Sequence, residues 1–244
     1  MERTKHLLIV LLALLSSYSF SQNNKSVYRA YASGAMHQWK HAMDSIETNK
    51  SKSNNEILDL INYQYGYIAW CIGAKNIKEA EIYLKKSENA IKLLEQKNYN
   101  LSALYAYKAA LTGYKIGMSP YKAPLLGPKS IELAKKSVRL DSMNALGYMQ
   151  LGNIAYYAPK LFGGSKTEAV KHYLKALSIM EKSKVYKLQN WNYLNLLSTL
   201  INAYMDLGEY QNAKKYCIKT LAVEPDFKWV KNNLYPTVLK KIKQ

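Results

Sequence analysis

The chain has 244 residues, of which 35 are Lys or Arg and 17 are Asp or Glu, for a formal net charge of +18. A charge so one-sided favours acidic proteins, anionic envelope surfaces or nucleic acid as partners, and it excludes nothing about fold. Two cysteines, Cys71 and Cys217, are too few for a disulfide framework, and Tyr is used 22 times against three Phe.

Residues 1–21 read as a leader and not as part of the fold. Arg3, Lys5 and His6 make a basic start, Leu7 to Leu15 is apolar throughout, and Ser19-Phe20-Ser21 offers a small-x-small cleavage site before Gln22. The three-part layout is that of a secretory signal peptide, with an apolar core too short for a permanent anchor. No cysteine stands at the cleavage point, which argues against a lipoprotein. The expectation is an exported chain, periplasmic or secreted, with one domain over 22–244 and no later membrane-spanning segment. Without Glu2, Arg3 and Lys5 the remainder carries 33 basic and 16 acidic residues, a net of +17. Export makes nucleic acid the weakest of the three partner classes.

Apolar periodicity predicts about ten helices and no strand. In chain order they fall near 26–48, 54–73, 77–96, 99–117, 128–140, 143–158, 165–183, 188–207, 209–222 and 227–242. Glu81 with Lys85 and Glu88 with Lys92 form favourably oriented i, i+4 pairs on the third. Gly73, Gly117 and Gly208 are placed where glycine can end a helix and turn the chain.

A repeat runs through these helices. One unit has Leu197-x2-Leu200-Ile201-x2-Tyr204, then Gly208, Ala213-x3-Cys217-x2-Thr220 and Pro225. The unit before it has Tyr148-x2-Leu151-Gly152 and Ala169-x3-Tyr173-x2-Ala176. Two weaker units carry Tyr65-Gly66 with Ala80-x3-Leu84-x2-Ser87, and Ala109-Ala110 with Ser130-x3-Ala134-x2-Ser137. Small residues at these steps let antiparallel helices approach, while the large ones fill the space to the next unit. Ala35-x3-Trp39-x2-Ala42 reads as a second helix without its first, and 227–242 as a first helix without its second.

On these residues the chain resembles the tetratricopeptide repeat family. The segments AMHQWKHAMDSIE, GMSPYKAPLLGPKS and LFGGSKTEAVKHYLKAL make it similar to exported members from Bacteroidota. The resemblance implies an all-α fold, a right-handed α-solenoid of about four helical hairpins with half-repeats at both ends. Distant units of such an array do not touch, so Cys71 and Cys217 are expected as separate buried thiols.

Catalytic constellations are sought without success, and the chain is expected to be no enzyme and to need no cofactor. His37 and His41 have metal-ligand spacing, but Gln38 stands where a zinc protease needs Glu, and no metal site is assigned. Ser119 to Lys122 fits S-x-x-K without its companion motifs. Gly163 to Thr167 lacks the spacing of a phosphate loop and reads as a turn with Ser165 or Thr167 as helix cap.

The expected function is therefore binding, by a scaffold or adaptor for a protein or extended peptide, with an anionic glycan or lipid as alternative ligand. The family resemblance places the groove on the first helix of each unit. It assigns Tyr63, Tyr67 and Trp70, then Tyr107, Leu111 and Tyr114, then Met149, Asn153, Tyr156 and Tyr157, and finally Ser198, Asn202, Met205 and Asp206. Asn153 and Asn202 stand where peptide-binding members hold a ligand backbone. Met149 and Ser198 replace the lysines of a carboxylate clamp, so that clamp is not expected. Two other surfaces are candidates: the turns at Pro120–Pro128 and Phe162–Gly164 on one edge of the array, and the acid-free basic tail after Asp226.

Overall fold

The computed structural model describes residues 24–182 and 189–244, so the expected leader lies outside the described residues. Within them all regular structure is helical. Four antiparallel hairpins follow one another: α3 (Asn54–Gly73) with α4 (Ile77–Gln96), α5 (Leu101–Met118) with α6 (Ala123–Leu140), α7 (Ala145–Tyr157) with α8 (Lys166–Lys182), and α9 (Trp191–Asp206) with α10 (Tyr210–Val223). Ahead of them stand α1 (24–33) and α2 (Met36–Thr48). After them a helix opens at 228, passes through a π-turn at Val230–Leu234 and ends as α11 (Tyr235–Ile242). The architecture is that of an α-helical repeat.

The repeat register is written into the burial pattern. Ala80, Ser130, Ala169 and Ala213 are buried, as are Leu84, Ala134, Tyr173 and Cys217 four positions on and Ser87, Ser137, Ala176 and Thr220 three further. Where a hydroxyl replaces a methyl at these steps it finds a partner, Ser137 by accepting from Asn144 Nδ2 (3.1 Å) and the others by donating. Ser87 donates to Gln64 Oε1 (2.8 Å), Ser130 to the Ala109 carbonyl (3.0 Å) and Thr220 to the Tyr216 carbonyl (2.7 Å), which avoids the cost of an unpaired buried polar group. At Gly152 a Cβ would fall 2.4 Å from the Tyr173 ring, so α7 and α8 approach through that glycine.

Helix starts repeat a device as well. Asn100, Asn144 and Asn190 each cap a first helix by accepting from Ala103 N, Gly147 N and Asn192 N, and Ser53 forms a reciprocal capping box with Glu56. The ends differ from expectation. Gly208 does take the left-handed conformation (φ 75°) with Glu209 N bonded back to Tyr204 O. After α3 the left-handed residue is Lys75 and not Gly73, and after α4 it is Asn98, while Gly117 stays inside the last turn of α5. A helix that is held on both sides by its neighbours can impose that conformation on residues other than glycine, at modest cost for Asn.

Three further corrections concern helix extents and pairs. The expected helix 26–48 is broken at Gly34 (φ 72°), where Ala35 N closes on Ala30 O. The helix expected from 128 begins at Ala123 and carries Pro128 inside it. Pro128 lies past the first turn and so removes the bond to the Pro124 carbonyl, a loss that the packing of the later turns of α6 on α5 offsets. Glu88 pairs with Lys115 of the next hairpin, not with Lys92 on its own helix.

The largest departure lies in how the array closes. Tyr31 of α1 packs its ring on Phe227 (centroids 5.3 Å apart) and Trp191 (5.6 Å), and its hydroxyl donates to Asn195 Oδ1 at 3.1 Å. Trp39 of α2 meets Trp191 edge-on at 4.9 Å and donates its indole N–H to the Tyr63 carbonyl at 3.1 Å. Asn192 of α9 donates to Asn62 of α3 at 2.9 Å. Units at opposite ends of the chain therefore touch, against the expectation for an open solenoid. Cys71 and Cys217 nevertheless remain free and buried, and burial pushes their thiols up to about 11 and about 12, so neither is a ready nucleophile.

Candidate ligand-binding site

Closure of the array decides which of the expected groove residues face out. Tyr63 is buried beside Trp39 and Asp59. Tyr67 is buried inside its own hairpin, where its hydroxyl donates to Glu79 (3.1 Å) and its ring meets Tyr83 edge-on. Tyr107 is buried edge-on against Tyr65, and Leu111, Met149 and Ser198 are buried too. Trp70 is exposed and tilted on Tyr67. As they stand, Tyr63, Tyr67 and Tyr107 are core residues, each for its own reason: Trp39 of α2 covers α3 at Tyr63, Tyr67 is enclosed by α4 of its own hairpin, and Tyr107 of α5 packs on Tyr65.

The remaining positions lie on α5, α7 and α9, with α7 and α9 joined where Tyr156 meets Asp206. Tyr114 is half-buried, stacked on Tyr65 with centroids 5.7 Å apart and planes 13° from parallel, and donates to the Tyr65 carbonyl at 3.2 Å. Asn153 is half-buried with both ends of its amide engaged, accepting from the Tyr173 hydroxyl at 2.9 Å and donating to Gln150 at 3.2 Å. Gln150 in turn donates to the Tyr65 hydroxyl. An asparagine so occupied holds neighbouring helices and has less to offer a peptide backbone. Asn202 is half-buried on α9 and its side chain makes no hydrogen bond among the described residues. Tyr157 is exposed at the last turn of α7, edge-on to Tyr156 at 4.7 Å.

Around Tyr157 the chemistry is phenolic. Burial raises Tyr65 against hydrogen bonds from Gln150, Tyr114 and Asn153 that lower it, and burial with the neighbouring phenols raises Tyr114 and Tyr173. Tyr157, whose ring is mostly exposed, is raised by partial desolvation and then by the Asp206 charge. All four rings stay protonated near neutral pH and act as hydrogen-bonding groups and stacking faces. Tyr156 donates to Asp206, which also pairs with Lys166 at 2.7 Å, and these two bonds hold the Asp206 carboxyl below its usual value. The cluster offers ring faces, O–H donors and one paired carboxylate. Tyr65, Gln150, Tyr173 and Trp191 carry it from behind, and sequence reasoning missed them because nothing local marks their partners, which lie on other hairpins.

His37 and His41 are both exposed on α2. Ser119 precedes the short 3-10 turn Pro120–Lys122. Ser165 accepts from Glu168 N at 3.3 Å and caps α8. The turn before it is tight: Ser165 N bonds Ala155 O at 2.8 Å, Gly163 is left-handed (φ 83°), and a Cβ on Gly164 would lie 1.8 Å from the Ala158 carbonyl oxygen. Backbone cannot yield as a flexible side chain does, so Gly164→Ala is expected to lower stability by about 1–3 kcal/mol. Urea unfolding of that variant beside Gly113→Ala, whose Cβ would meet open space, checks it; equal midpoints would show that the turn relaxes.

Fold and site together define a helical-repeat protein with a phenol-rich patch around the exposed Tyr157. No protein-family model and no curated protein sequence matches the chain. Among solved structures it is similar to the HusA haemophore from Porphyromonas gingivalis, with a TM-score of 0.58 at 16% identity, covering 76% of this chain and 92% of that one. At that identity the likeness establishes a shared fold.

Proposed function

We propose that this chain is an exported, non-catalytic binding protein built from tetratricopeptide-like hairpins, and that it takes a small flat amphipathic ligand of the tetrapyrrole class at the Tyr157 patch. One observation carries the reading. Of the expected groove aromatics Tyr63, Tyr67 and Tyr107 are buried, and apart from Trp70 the rings that keep exposed surface gather around Tyr156 and Tyr157, a short aromatic patch that suits a small ligand better than an extended chain. A flat macrocycle suits stacking on Tyr157, and its carboxylates suit the lysines of a strongly basic chain. The fold similarity to a haemophore supports the same ligand class.

Because the surrounding phenols are held protonated, the tyrosines offer rings and O–H donors, not a phenolate ligand to iron. Iron-free porphyrin is therefore expected to bind about as tightly as haem, and Tyr157→Ala to weaken both by about tenfold or more. Absorption and fluorescence titrations measure each. Binding of haem alone would mean that metal ligation dominates and the stacking reading is wrong. A peptide or protein partner is the second reading, favoured by the unengaged amide of Asn202 on α9. It predicts that Asn202→Ala, and not Tyr157→Ala, releases a captured partner.

A further inference from the structure

The most exposed large apolar side chains of the described chain are not scattered. Besides Tyr157 of the phenol cluster, Tyr121, Leu125, Leu161 and Phe162 are between 61% and 88% exposed, ahead of Ile82 at 55%. These four lie in or beside two turns, α5 to α6 and α7 to α8. Because α5 and α6 both pack on α7 and the hairpins are antiparallel, the two turns fall side by side on one edge. The first two turns of α6 overhang the array, since no residue of 123–129 is buried and the first buried residue of that helix is Ser130.

These tips are held, not loose. Pro120 and Pro124 sit in the opening turns of their helices, and the Gly163-Gly164 turn closes onto Ala155 and Pro159. Apolar residues kept rigidly in water cost solubility and mark a contact surface. The charge around them has one sign. No Asp or Glu occurs between Glu95 and Glu132, nor between Asp141 and Glu168. Lys122, Lys129 and Lys160 are exposed and enter no ion pair among the described residues. The edge is apolar at its exposed tips and cationic beside them. A row of exposed Tyr, Phe and Leu tips flanked by these lysines matches an interface with anionic headgroups.

We propose that this edge docks on the surface of an anionic lipid bilayer, with Tyr121, Leu125, Leu161 and Phe162 entering the headgroup region and Lys122, Lys129 and Lys160 facing its phosphates. The proposal stands apart from the tetrapyrrole reading, since it uses the outer edge and not the phenol cluster. The purified, processed chain is sedimented with vesicles of phosphatidylcholine alone and of equimolar phosphatidylcholine and phosphatidylglycerol. It should partition to the anionic vesicles and stay free of the neutral ones. Serine at Tyr121, Leu125, Leu161 and Phe162 together should cut that partitioning by about tenfold or more, as should glutamine at the three lysines. Unchanged helical signal and thermal midpoint are expected, because none of these residues is buried, and Tyr157 is left intact so that porphyrin titration of the same variants reads the other site. Undiminished vesicle binding by the serine variant overturns the proposal. So does equal binding to neutral vesicles, or failure of the parent chain to bind either, including the case in which only a protein is captured.

Discussion

Trp39→Ala should cost about 3–5 kcal/mol of stability, the range for removing a fully buried Trp from a core that cannot collapse around the gap. Trp39 has no exposed surface, lies edge-on to Trp191 and Tyr31, and would stand 2.7 Å from a Cβ on Gly66. It therefore touches α1, α3 and α9 at once. Its indole N–H also leaves the Tyr63 carbonyl when it is removed. Urea unfolding measures the loss, with exposed His37→Ala on the same helix as the control expected to stay within about 0.5 kcal/mol of the parent. A cost below about 1 kcal/mol would mean that the contact between the chain's two ends is not central to its stability.

Asp59→Asn should act in the opposite direction and only at higher pH. Burial, with a smaller push from Glu56 one turn earlier, raises the Asp59 carboxyl to about 7, and its side chain makes no hydrogen bond among the described residues. The unfolded chain releases that proton near the ordinary value of about 4. Between these two values the folded state holds a proton that the unfolded state has lost, so the Asp59 contribution falls as pH rises and levels off above about 7. Asparagine stays neutral throughout. The variant should match the parent below about pH 4 and exceed it by roughly 2–4 kcal/mol at pH 8, as an order of magnitude. Denaturant midpoints at pH 4, 6 and 8 test this; a parent chain as stable as the variant at pH 8 would show that Asp59 finds a partner when ionised.

Part of the molecule was legible in the chain alone. Ala80, Ser130, Ala169 and Ala213 mark the hairpins because helix contact at close range tolerates only small side chains, and that constraint is local to each pair of helices. The exposed turn at Phe162 was likewise visible from glycine spacing, whereas most of the Pro-rich stretch expected as a turn is the opening of α6.

The ligand-facing surface was not legible in that way. Whether Tyr63, Tyr67 and Tyr107 line a groove or fill a core depends on how tightly successive hairpins coil. That is a sum of small rotations that no single repeat encodes. Here the coil closes far enough for Tyr31 to reach Asn195 and for Asn62 to reach Asn192, across 164 and 130 residues respectively. Sequence thus determined the helices, their pairing and the charge, each a matter of neighbours along the chain or one turn away. Tertiary structure alone decided that the two ends meet, that half the expected groove is core, and that Tyr157 and the hairpin tips remain open. Contacts between remote hairpins set the solvent exposure of a face, and exposure is what separates a binding tyrosine from a packing one.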